Sequence, residues 1–91
     1  MTVSVKIHQY IIRSGTGSWV TAETDSQTLR ECLEQASASF PGLKKEIFDG
    51  SGNLPGHVLV LLNGEEVQLD GLNQKVKEGD TIEVLPIIGG G

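Results

Sequence analysis

An α+β fold is predicted, with one main helix packed across one face of a four- or five-stranded mixed sheet. Two observations carry this. Apolar residues recur with a period of two in several short runs, the mark of half-buried strands, but with the helical period in one run only. The chain has 91 residues, enough for one domain and too few for two. The domain is expected over residues 1–88, and residues 89–91 form a flexible tail.

Val3, Val5 and Ile7 alternate with Thr2, Ser4, Lys6 and His8, which defines a first strand. The apolar signal continues through Tyr10, Ile11 and Ile12, where the alternation fails and a bulge is expected. Ser14-Gly15-Thr16-Gly17 is a turn cluster, and Trp19 to Glu23 reads as the returning strand of a hairpin. Thr28-Leu29-Arg30-Glu31 has the spacing of a capping box, with the Thr28 hydroxyl accepting from the first-turn amide and Glu31 reaching back. Leu29, Cys32, Leu33, Ala36 and Phe40 then form one stripe of an amphipathic helix over 28–39, ended by Phe40-Pro41-Gly42-Leu43. In 44–57, Ile47-Phe48 anchors a short helical turn, and Asp49-Gly50-Ser51-Gly52-Asn53 is a loop. Val58 to Leu62 is a strand, Asn63-Gly64 a hairpin turn, and Glu65 to Leu69 the return. Gly79-Asp80 turns into a last strand, Thr81 to Leu85. The expected core packs Leu29, Leu33 and Phe40 on Val5, Val60, Leu62, Ile82 and Val84.

Seven Lys or Arg face twelve Asp or Glu, a net charge of -5. That sign disfavours nucleic acid and anionic membranes as partners. No apolar run is long enough to span a bilayer, and no basic segment with an apolar core opens the chain. A cytoplasmic location is expected. One cysteine excludes an internal disulfide and a multi-cysteine metal site.

Catalytic candidates are few. His8 and His57 lie on different elements without the spacing of a metal pair and read as surface residues. Cys32 falls on the apolar stripe and reads as a small buried hydrophobe rather than a reactive thiol. Glu65 and Glu66 are strand neighbours that point to opposite faces, so they cannot share a site. No phosphate loop, zinc signature or nucleophile elbow occurs. The chain does not read as an enzyme, and neither a catalytic residue nor a metal site is assigned.

Gly89-Gly90-Gly91 ends the sequence, where no core needs it. Glycine loses the most conformational freedom on folding and has no side chain to pack. Such a tail can thread a narrow channel and present an unhindered carboxylate on the order of 20 Å from Pro86, at about 3.3 Å per residue. On composition alone, a frayed terminus or a cloning remnant is the alternative. A second feature is the strand Val58 to Leu62, apolar on both faces beside a single helix. With Val58, Val60 and Leu62 toward the helix, Leu59 and Leu61 face outward beside Leu85, Pro86 and Ile87, a patch suited to a partner. Cover by 44–57 or by a second copy is the alternative.

The helix start Thr28-Leu29-Arg30-Glu31, the stop Phe40-Pro41-Gly42-Leu43, Leu62-Asn63-Gly64-Glu65-Glu66-Val67, the closing run Glu78 to Pro86 and the terminal Gly90-Gly91 occur in an order that resembles the MoaD/ThiS family of ubiquitin-like sulfur carriers. The resemblance spans nearly the whole chain. Gly89 departs from the family, which usually has alanine or serine there, and implies a looser tail. The long 44–57 segment is closer to molybdopterin-type and cysteine-type carriers than to thiamine-type ones.

The resemblance implies a β-grasp fold and a carrier with no cofactor of its own. An adenylating partner similar to ubiquitin-activating enzymes would use ATP to activate the Gly91 carboxylate, with Gly89, Gly90 and Gly91 threading its active site. A persulfide or sulfide donor would convert the adenylate to a thiocarboxylate, and a synthase would accept the sulfur. The alternative is a ubiquitin-like modifier joined through Gly91 to lysines of target proteins.

Overall fold

The computed structural model describes residues 2–8, 19–40, 42–48, 58–68 and 71–86, the side chain of Trp19 excepted. Strand β1 (Val3–His8) pairs antiparallel with β2 (Trp19–Thr24), the expected hairpin. The region around Tyr10 lies outside the described residues. Helix α1 (Leu29–Ser37) and the short helix α2 (Leu43–Ile47) follow, then β3 (Val58–Leu62), β4 (Glu65–Glu66) and β5 (Thr81–Pro86). The five strands form one sheet in the order β2-β1-β5-β3-β4. Strand β5 sits at its centre, parallel to β1 and antiparallel to β3. This is a mixed five-stranded β-grasp sheet with one main helix.

Helix α1 forms because its stripe and its cap agree. Leu29, Cys32, Leu33 and Ala36 are fully buried against Val3, Val5, Ile7, Val60, Ile82 and Val84. Each fully buried leucine contributes roughly 1.5–3 kcal/mol relative to exposure. The Thr28 hydroxyl oxygen accepts from the Glu31 amide at 3.2 Å and donates to the Glu31 carboxylate at 3.0 Å. Glu31 thus closes the cap through the hydroxyl, where a capping box would have it accept from the Thr28 backbone amide. The helix also ends earlier than residue 39. The Ser37 hydroxyl donates to the Leu33 carbonyl at 2.7 Å, and the amides of Ser39 and Phe40 donate to Ala36 and Ser37, so the last turn tightens three residues apart. Phe40 consequently packs at the rim of the core, half-buried, as does Leu62.

Two regions carry more than their sequence suggests. The return strand is only Glu65–Glu66, because the chain turns inward after the Val67 amide bonds Val60 at 2.9 Å and buries the Val67 side chain. Segment 71–76, for which the sequence predicts no element, covers the start of α1. Its Leu72 and Gln74 carbonyls accept from the Arg30 and Leu29 amides at 2.8 and 3.0 Å, two of the helix's four orphan donors. Leu72 and Val76 add to the core.

Candidate functional site

The helix covers one face of the sheet, and the other face is where the predicted patch falls. The register pairs Leu59 with Leu85, Leu61 with Glu83, and Val58 with Pro86. Val58 and Val60 are buried toward α1, whereas Leu59, Leu61, Leu85 and Pro86 are half-buried. Alternation in β3 therefore holds as expected, and the three leucines lie together on two adjacent strands. Ile87 lies outside the described residues, as do Gly89, Gly90 and Gly91. β5 ends at Pro86 and runs directly into this segment.

The same face carries polar neighbours. Lys6 pairs with Glu83 across β1 and β5, and Leu61 pairs with Glu66 across β3 and β4. Glu65 pairs with Leu62 on the other side, so the adjacent carboxylates do point apart. His8 is half-buried on β1, and His57 lies outside the described residues.

The far end of β5 is fixed by a network that sequence reading missed. Asp80 is 6% exposed. One carboxylate oxygen accepts from the Asn63 side-chain amide at 3.0 Å and the other from the Lys77 amide at 2.9 Å. Asn63 in turn accepts from the Thr81 amide at 2.9 Å, and its own amide donates to the Thr81 carbonyl at 2.8 Å. The Asn63 amide and the Lys77 amide hold the Asp80 carboxyl below its ordinary value, against the opposing effect of burial. Asn63 adopts φ 52° and Gly64 φ 87°, the left-handed pair of a tight hairpin turn. The Asn-Gly signal marked the turn, but its clasp onto Asp80 spans seventeen residues and leaves no local signature.

Cys32 is buried, as its place on the stripe predicts, and its thiol points to the Ser26 carbonyl at 3.6 Å. Burial pushes it up from the ordinary thiol value. Among the described residues no group of three His, Cys, Asp or Glu could hold a metal ion. No helix among them is long and apolar enough to cross a membrane.

A mixed five-stranded sheet with one main helix packed across it defines a ubiquitin-like β-grasp protein. Residues 11–91 match the ThiS family, and the chain belongs to it. The sulfur carrier protein CysO of Mycobacterium tuberculosis is 30% identical over 94 residues, covering 100% of both chains. Small archaeal modifier protein 3 of Haloferax volcanii is 35% identical over 68 residues, 74% of this chain and 73% of that one. Among solved structures, a chain of the Amycolatopsis orientalis BexX/CysO complex superposes with a TM-score of 0.79. It is 28% identical, over 98% of this chain and 99% of that one.

Proposed function

We propose that this chain carries sulfur on its Gly91 carboxylate, between an activating enzyme and a biosynthetic synthase. The observation that carries the reading is the end-to-end match to a sulfur carrier, within a family match that runs through the triglycine. A carboxylate is a poor electrophile. Attack of the Gly91 oxygen on the α-phosphate of ATP forms an acyl-adenylate and expels pyrophosphate. Sulfide then attacks the carbonyl carbon, a C–S bond forms, and the C–O bond to AMP breaks with its electron pair leaving on AMP. With a persulfide donor the product is an acyl disulfide, and a second thiol reduces its S–S bond to release the thiocarboxylate.

In this reading the chain supplies the carboxylate, the tail Gly89-Gly90-Gly91 and a docking face of Leu59, Leu61, Leu85 and Ile87. Pro86, expected on that face, pairs with Val58 on the helix side and lies only at its margin. The partners supply ATP binding and catalysis, so the chain itself needs no cofactor and is not an enzyme. The cytoplasm, with its ATP, suits such a reaction. The acceptor is a synthase of molybdopterin or cysteine type. The match to a small archaeal modifier protein supports a second reading, conjugation of the same activated Gly91 to lysines of target proteins.

Deleting Gly90-Gly91 tests the proposal. Pyrophosphate exchange with the adenylating enzyme of the same organism should be abolished while the melting temperature stays unchanged, because a tail without side chains buries no apolar area. Equal exchange by the intact and truncated chains would refute carrier and modifier together. The intact mass of the protein from its own cells separates the two readings. Exchange of one oxygen for sulfur marks a carrier, and adducts of the whole chain on other proteins mark a modifier.

A further inference from the structure

The outward face of the sheet is not only apolar, and the strand register fixes where its charges stand. Thr21 pairs with Lys6, Lys6 with Glu83, Glu83 with Leu61, and Leu61 with Glu66. These five residues form one row across all five strands. Cross-strand neighbours hold their Cβ atoms about 4.5–5.5 Å apart. Leu61 therefore lies between two carboxylates. Leu61 and Glu83 are half-buried, and Glu66 and Lys6 are exposed. Lys6 flanks Glu83 from the far side, whereas the neighbour of Glu66 in the row is Leu61 itself. A third carboxylate on this face, Glu23, accepts from the Ser4 hydroxyl at 3.0 Å.

A partner that covers Leu61 must take Glu83 and Glu66 out of water with it. Burying Glu66 with no opposite charge beside it in the row, or Glu83 with only the exposed Lys6 on its far side, is costly enough to cancel the gain from burying a leucine. We infer that Glu83 and Glu66 are the specificity determinants of this face, and that its partner is a protein surface with an apolar centre and Arg or Lys side chains opposite the two carboxylates. This rests on the reading of Leu59, Leu61 and Leu85 as the docking face. Arginine suits Glu83 best, because a half-buried carboxylate gains most from a planar, bidentate donor. The whole chain has the same sign, -5, so a basic partner is also steered toward it. A partner with an acidic or wholly apolar counter-surface is rejected by the same two residues.

The test is pyrophosphate exchange with the purified adenylating enzyme of the same organism, read as separate KM and kcat. Glu83→Gln and Glu66→Gln remove charge while keeping shape, and thermal melts check each variant. The double variant should raise KM about tenfold and flatten its salt dependence, with kcat unchanged. Glu34→Gln, an equal charge change on the exposed side of α1, should leave KM unaltered. An unchanged KM in the double variant, with KM raised in Leu61→Ser, overturns the charge inference and leaves the docking face standing. If Leu61→Ser also leaves KM unchanged, the docking face lies elsewhere and the inference falls with it. A KM shift in Glu34→Gln equal to that of Glu83→Gln reduces the effect to net charge and likewise overturns it. No exchange with the intact chain refutes the carrier reading itself.

Discussion

Replacing Asp80 by alanine removes the acceptor for the Asn63 side-chain amide and for the Lys77 amide at once. A hydrogen bond to a charged group contributes about 1.5–3 kcal/mol, and water restores part of that at a site near the surface. A loss of about 2–4 kcal/mol is expected. The melting entropy is about 2.1 cal/mol/K per residue, so over 91 residues each kcal/mol shifts the melting temperature by about 5 °C, and Asp80→Ala should melt roughly 10–20 °C lower. The pH dependence has a definite sign. Because the folded carboxyl is held below its ordinary value of 3.8, its contribution is present above that value. It disappears as acid protonates the folded form. Urea melts from neutral pH downward should therefore show a constant gap between the intact chain and Asp80→Ala, closing below the ordinary carboxylate range. A gap under about half a kcal/mol at neutral pH, or one that persists unchanged in strong acid, would refute the clasp as an ionised acceptor.

Other outcomes follow from burial and register. Leu33→Ala, at a side chain with 0% exposure, should cost about 2–5 kcal/mol in denaturant melts, and a loss below about half a kcal/mol would show that its pocket collapses freely. Leu59→Asp should weaken docking of the adenylating enzyme while leaving the melt intact; outright unfolding would place that side chain in the core. Cys32 should resist alkylating reagents at neutral pH until denaturant is added, since burial both blocks the thiol and raises its pKa, and rapid labelling of the folded chain would contradict that.

The parts of this fold that were legible in the sequence are those set by local period. Val3, Val5 and Ile7, the stripe from Leu29 to Ala36 and the alternation in β3 each bury what their spacing demands, because a strand or a helix face is decided within a few residues. Asn63-Gly64 is legible for the same reason. What escaped depends on distant partners. Segment 71–76 has no periodic pattern, yet it shields the first turn of α1 with two carbonyls and contributes Leu72 and Val76. Asp80 reads as a turn residue until Asn63 is placed beside it. The leucines of the candidate site were visible as an excess of apolar residues on a strand with one helix to cover it. The carboxylates beside them were not, since only the register brings Glu66 and Glu83 to either side of Leu61.

The register also bears on the proposed activation of Gly91, because the glycine tail follows β5 in sequence rather than an edge strand. β5 is bonded on both sides, to β1 and to β3, and its start is clasped to the β3–β4 turn through Asp80 and Asn63. Backbone paired on both edges has little freedom to slide, because a slip of one residue would turn Ile82 and Val84 outward. Leu85 and Pro86 are thus held at fixed places beside Leu59 and Val58. A tail leaving from Pro86 then starts from a constant origin relative to the docking face, and its reach is bounded at roughly 20 Å for the residues up to Gly91. On the proposed reading, docking and reach together select the depth at which an activating site would meet the carboxylate. That requirement is geometric and holds for either reading of Gly91, carrier or modifier, because both need the same carboxylate delivered to the same bond-forming distance.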